Sequence, residues 1–146
     1  MKIALGSDHA GYILKEAIKK YFTDKKIEYK DFGTFKIDSC DYPEYSYKVS
    51  TAVAAGEADL GILVCGTGIG MCITANKIKG IRAAQAYDPE MAQMSRLHNN
   101  ANVLCLGGRI LSDEEGIKVV EAFLSTSFEG GRHQNRLNLI SQLTGL

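Results

Sequence analysis

Short apolar runs alternate with helix-period segments along this chain, and that order leaves few folds open. Lys2 to Gly6 reads as a buried strand. Ile13, Leu14, Ala17, Ile18, Tyr21 and Phe22 then recur at the i, i+3, i+4 spacing of one helix face. Ile27 to Phe32 alternates as a second strand. A helix starts near Asp41-Tyr42-Pro43, with Asp41 as its expected N-cap, carries Tyr45, Val49, Ala52 and Val53 inward and stops at Gly56. Leu60 to Cys65 is continuously apolar, the pattern of a strand covered on both faces. Gly66-Thr67-Gly68-Ile69-Gly70 opens a short third helix. Ile81 to Ala86 predicts strand four, Asp88-Pro89 a helix ending near His98-Asn99-Asn100, and Val103 to Leu106 strand five. Ser112 or Asp113 caps a fifth helix, and a last one, at about 132–143, follows Gly130-Gly131.

Strands that alternate strictly with helices imply a parallel sheet between two helical layers. The expectation is a single α/β domain over residues 1–146: a doubly wound, Rossmann-like α/β/α sandwich around five parallel strands. Ligands of such folds bind at the carboxyl ends of the strands. The loops at Ser7-Asp8-His9, Cys65 to Gly70, Tyr87-Asp88 and Gly107 to Arg109 belong there.

Composition removes several classes of function. Net charge is zero, so no broad basic surface for nucleic acid is expected, and any anion must be caught by a local cluster of cations. No apolar run approaches the ~20 residues of a membrane span, and the N-terminus has no signal-peptide pattern. Cys40, Cys65, Cys72 and Cys105 include no CxxC pair, which disfavours a thiol-redox protein. Reduced thiols in a cytoplasmic chain are the reading that follows.

The strongest local signal is Cys65 through Gly70. A thiol closes an apolar strand, glycines free the backbone to turn and expose N–H groups, and a helix begins. Such a loop can hold a phosphate or an oxyanion formed during reaction, and it suits a reactive thiol. As a plain core residue, Cys65 would need no glycine loop beside it. The spacing G-x-G-x-G is not the dinucleotide fingerprint, and no Gly-Lys-Ser/Thr completes a P-loop. His9, His98 and His133 fall in loops or at helix ends without metal-ligand spacing, so no metal and no cofactor are expected. Arg132 and Arg136, i and i+4 on the last helix, present two guanidinium forks on one face, suited to a phosphate, and Arg109 is a candidate third partner. The carboxylates form no pair of the kind a glycosidase or a two-metal centre needs.

Together these stretches resemble the type B ribose-5-phosphate isomerases, a family that includes galactose-6-phosphate isomerase subunits. The resemblance rests on Gly6-Ser7-Asp8-His9-Ala10-Gly11, Asp41-Tyr42-Pro43, and Cys65 through Gly70 with Ala75-Asn76-Lys77. It continues through Gly80-Ile81-Arg82-Ala83, Ser95-Arg96 with His98-Asn99, and Gly130-Gly131-Arg132-His133 with Arg136. It implies a cofactor-free interconversion of ribose 5-phosphate and ribulose 5-phosphate. Cys65 is then the base, His98 assists ring opening, Thr67 lies near the reacting oxygens, and the N–H groups of Gly66 to Gly70, Ile69 included, stabilise the enediolate. The resemblance further implies that His9, Arg109, Arg132 and Arg136 bind phosphate, that Asp8 and Asn99 hold sugar hydroxyls, and that Tyr42 contacts substrate.

Some members of the family have serine at the position of Cys65 and a carboxylate further along the loop. Here Met71-Cys72 follow the loop, so the cysteine chemistry is implied. The galactose-6-phosphate branch often lacks parts of the Asp-His and His-Asn pairs that this chain keeps, which favours a pentose over allose 6-phosphate or galactose 6-phosphate. The alternative outside enzymology is a non-catalytic sugar-phosphate binding module. The resemblance also implies a homodimer, or a dimer of dimers, with shared sites: Cys65 and its loop from one chain, and His98, Asn99 and Arg109 from the other. The last helix, with Leu137, Ile140 and Leu143, has no further strand to cover and is expected to pack on a partner.

Overall fold

Ile62, Leu63 and Val64 are inaccessible to solvent, and the strand that contains them is the centre of the molecule. In the computed structural model, which describes residues 1–146, five strands and six helices follow in the expected order. They are β1 (Lys2–Ser7), α1 (Tyr12–Lys25), β2 (Glu28–Asp31), α2 (Tyr42–Ala54), β3 (Leu60–Cys65), α3 (Ile69–Ala75), β4 (Ala83–Gln85), α4 (Pro89–Asn99), β5 (Val103–Gly107), α5 (Asp113–Ser125) and α6 (Arg132–Thr144). All strands pair in parallel in the order β2-β1-β3-β5-β4.

Side chains alternate across a strand, so each buried strand feeds two cores. Ile3, Leu5, Ile62, Val64, Leu104 and Leu106 pack with Leu14, Ile18 and Phe22 of α1 and with Val119, Val120 and Phe123 of α5. Ala4, Leu63, Cys65, Val103 and Cys105 pack on the other side with Val49 and Val53 of α2 and with Met71 and Ala75 of α3. This is the three-layer sandwich. The outer strands are shorter than expected, four residues in β2 and three in β4, because an edge strand has one ladder partner and looser packing. The caps are as expected at Ser112, which forms a complete capping box with Glu115, and at Asp88, which accepts the Met91 N–H. Asp41 occupies the N-cap position of α2, but its side chain caps nothing.

Helix α1 departs from its apolar pattern. Ile13 is exposed, and Lys15 is fully buried. The Lys15 ammonium donates to both Asp31 oxygens at 2.9 and 2.8 Å and to the Thr34 carbonyl at 2.6 Å. Hydrogen-bond partners on three sides offset the cost of burying the charge. Burial alone would raise the Asp31 carboxyl; Lys15, the Gly33 amide and Lys19 outweigh it and hold its pKa below the ordinary value. A carboxyl depressed in the folded state stabilises the fold above its unfolded pKa, about pH 4, and loses that contribution as pH falls through the folded pKa. Lys15→Met leaves the Thr34 carbonyl unpaired and Asp31 with only Lys19 and the Gly33 amide. Urea unfolding at pH 7 should show a loss of about 3 kcal/mol, the lower end for breaking a buried pair. A loss under half of that would mean that Lys15 is dispensable to the fold.

Candidate active site

β1 leads into α1 on one face of the sheet and β3 leads into α3 on the other, although the two strands are neighbours. The chain therefore parts at their carboxyl ends and leaves a crevice, the switch point of a doubly wound sheet. A cavity of about 240 Å³ lies there, lined among others by Asp8, His9, Tyr42, Cys65, Thr67 and Arg109.

Cys65 is the last residue of β3 and 4% exposed. The Gly68 N–H donates to its Sγ at 3.1 Å, so this amide serves the sulfur rather than standing free in the loop. The loop around it is tied down through three successive carbonyls. Cys65 accepts from Gly108 at 2.7 Å, Gly66 accepts from Arg109 at 3.1 Å, and Thr67 accepts from Gln85 Nε2 and, at 3.2 Å, from the Tyr87 hydroxyl. Gly68 has φ +82°, open to glycine at little cost. A Cβ on Gly70 would lie 2.5 Å from the Tyr42 ring, so Gly70 is what lets Tyr42 reach the cavity wall.

Asp8 is buried, and its Oδ1 accepts the Gly11 N–H at 2.9 Å at the entrance to α1. His9 is half-buried, with Nδ1 3.2 Å from the backbone N and O of Cys40, which anchors the ring at the cavity rim. Arg109 packs against Gly66 and lines the same cavity as Cys65. It belongs to the thiol's own chain, and the expectation that it reaches in from another subunit is corrected.

His98 and Asn99 lie elsewhere. α4 starts beyond the carboxyl end of β4 and runs eleven residues, about 16 Å, back to the amino end of β5. The ladder pairs Cys65 with Gly107 and Gly61 with Val103, so the two edges are four residues, about 13 Å, apart. The amide of Glu129 donates to the Leu97 carbonyl at 3.1 Å, which brings the start of α6 to the end of α4. Arg132 and Arg136, both exposed, therefore stand at the His98 edge, away from Arg109. Within one chain the three arginines do not meet.

The sequence reading named His133 without a role and passed over Glu129, and these two build a second cluster with His98. His133 stacks on His98 with ring centroids 4.3 Å apart. Glu129 Oε2 lies 3.8 Å from His98 Nε2 and 3.6 Å from His133 Nε2. Burial, then the neighbouring His98 and Arg132, push the His133 pKa below the ordinary value. Arg82 Nε donates to the carbonyls of Asn99 and Asn100 at 3.1 and 3.0 Å, and Arg96 Nε donates to Thr126 at 3.2 Å. The arginines between the catalytic candidates thus hold the turn that presents His98. A missed partner is also visible in the thiols. All four cysteines are free, and a hydrogen bond from Cys105, against the opposing effect of burial, pulls Cys72 down to about 7. Cys72 bonds with Asn76 and Ala83, however, and is no part of the cavity wall.

A larger cavity of about 360 Å³ lies between the β4 edge and α6 and is walled by Ile81, Ala84, Leu137 and Ile140. Of the expected site residues it holds Asn99 alone. Leu137 is buried there, whereas Ile140 and Leu143 of the same helix are exposed.

Residues 3–140 match the family model described as Ribose/Galactose Isomerase. Ribose-5-phosphate isomerase B of Escherichia coli K12 is 46% identical over 142 residues, covering 97% of this chain and 95% of its own. Ribose-5-phosphate isomerase B of Clostridium thermocellum superposes with a TM-score of 0.98 at 46% identity, over 99% of this chain and 98% of that one. The Mycoplasma genitalium enzyme of that name, solved with bound ribulose 5-phosphate, gives 0.94 at 42% identity, over 99% and 96%.

Proposed function

Because the chain belongs to the ribose/galactose isomerase family, we propose that it interconverts ribose 5-phosphate and ribulose 5-phosphate through an enediolate, with Cys65 as the base. Aldose–ketose isomerase activity of the ribose-5-phosphate type accords with its relatives, one of them holding ribulose 5-phosphate. The observation that supports the thiol as base is its place: Cys65 lines the switch-point cavity, and the Gly68 amide donates to its Sγ.

Cys65 takes the C2 proton of the open-chain aldose. The C–H electron pair forms the C1–C2 double bond, and charge moves to O1. Cys65 returns the proton to C1, and the O2 hydroxyl proton passes to O1, which leaves the C2 ketone. Thr67, exposed in the loop, is placed to carry the proton between the two oxygens. The Gly68 and Ile69 amides donate within the loop, to Cys65 Sγ and Thr67 Oγ1, and the remaining loop amides supply the preorganised dipoles that favour the enediolate over the neutral sugar. Asp8 and Tyr42 hold hydroxyls. His98 moves the proton between the C1 hydroxyl and the ring oxygen when the furanose opens, and Asn99 holds a sugar hydroxyl beside it.

These groups act on one sugar only if a second copy of the chain supplies the edge that the first lacks. Cys65 and Arg109 stand about 13 Å along the strands from the edge that bears His98, Asn99, Arg132 and Arg136. A two-fold dimer sets one edge against the other twice over and makes two complete sites. The exposed Ile140 and Leu143 of α6 are the natural contact, since helix α6 packs within its own chain mainly on α4.

The deciding experiment compares kcat/KM for ribose 5-phosphate, allose 6-phosphate and galactose 6-phosphate in a coupled assay. Ribose 5-phosphate should lead by at least about tenfold, or 1.4 kcal/mol of transition-state binding. A hexose phosphate in first place would reassign the substrate, and no turnover of any would leave a binding module.

A further inference from the structure

We propose that His98, Glu129 and His133 form a binding site for Zn²⁺ or a chemically similar transition-metal ion. One ligand atom from each, the two Nε2 and a carboxylate oxygen, lie within 4.8 Å of one another. Their contacts to Glu129, 3.8 and 3.6 Å, are too long for hydrogen bonds, and the two rings stack with planes 14° apart, so the exposed His98 ring must turn for its Nε2 lone pair to meet the same ion as that of His133.

The independent mark of a ligand is His133. It is 4% exposed, and its Nε2 has no hydrogen-bond partner. A buried imidazole nitrogen without a partner costs free energy, and a coordinated ion removes that cost. Two imidazoles and one carboxylate with a fourth position open are a donor set that zinc accepts. Zinc binds such atoms at about 2.0–2.2 Å, so its ligands sit roughly 3.3 Å apart. Closing to that spacing falls mainly to Glu129 and His98, 60% and 39% exposed, while buried His133 stays in place.

Arg132 and Arg136, on the same first turns of α6 as His133, oppose any cation. They exclude hard ions that gain little from imidazole, such as Mg²⁺ and Ca²⁺, and leave those that gain most. The consequence rests on the ring-opening role given to His98. A metal takes the lone pair that the proton transfer uses, so occupancy inhibits the isomerase, and the enzyme works best with the metal stripped away.

The test uses the chelator-treated protein with Co²⁺ as a spectroscopic probe and Zn²⁺ as inhibitor. One Co²⁺ per chain should bind with visible d–d bands and no sulfur-to-cobalt charge transfer. His133→Ala and Glu129→Gln should each weaken binding at least about tenfold. Glu129 is exposed, so its variant keeps the experiment decisive if His133→Ala does not fold. Zn²⁺ should inhibit wild type reversibly and Glu129→Gln only at about tenfold higher concentration, each measured against its own metal-free rate. Absence of Co²⁺ binding, or a charge-transfer band that disappears in Cys65→Ala, overturns the proposal. Metal bound at these three residues with full activity keeps the site and removes His98 from the ring-opening step.

Discussion

Cys65→Ala should lower kcat by about 10²–10⁴-fold, the usual consequence of removing a general base, and should leave affinity for a non-reacting sugar phosphate close to wild type. The contrast follows from the cavity. The thiol is the group expected to meet the C2 hydrogen, while Asp8, His9 and Arg109 line the same cavity and are expected to hold the rest of the ligand. The substitution removes one sulfur from a strand end whose Cβ packs into the α2–α3 core, so the fold should persist. Cys72→Ala is the control. A hydrogen bond from Cys105 brings its thiol down to about 7, yet it lies outside the cavity, and its loss should leave kcat within about twofold. If Cys72→Ala were the inactive variant and Cys65→Ala the active one, acidity rather than position would have chosen the base.

Mixing Cys65→Ala with His98→Ala, after reversible dissociation, should restore roughly a quarter of wild-type activity above the sum of the parents. Two variants assembling at random as two-fold dimers give about half mixed dimers. In a mixed dimer, one site carries both defects and the other neither. Each chain holds Cys65 at the carboxyl edge of β3 and His98 at the opposite edge, beyond the amino end of β5. A site assembled within one chain could not be rescued by any partner. Verified subunit exchange without recovery would therefore place Cys65 and His98 of each working site in the same chain.

The acid limb of stability and the metal titration examine other parts of the molecule, and they share a lesson with these two experiments. In each, the residue type was visible in the sequence, and its neighbours were not. Lys15 stands among the apolar positions of α1 as an ordinary surface lysine would; only Asp31 and the Thr34 carbonyl, brought from beyond β2, make its burial possible. Arg109 groups with Arg132 and Arg136 by residue type alone; the sheet order places it with Cys65, at the other edge of its own chain from those two.

The sequence by itself determined the class of fold, because local hydrophobic period records which face of each segment is buried, and strict alternation of the two periods admits a parallel sheet between helices. It also determined the candidate strand end, because a thiol followed by glycines at 66, 68 and 70 is a local backbone pattern. Only the tertiary structure decided the strand order and, with it, which loops share the switch point. It alone brought Glu129 and His133 to His98 and held the Thr67 carbonyl with Gln85 and Tyr87. It alone put Cys65 and His98 at opposite edges of the sheet. The reason is physical: these contacts join residues far apart along the chain, and a pairing that depends on how whole elements pack leaves no periodic trace in either partner.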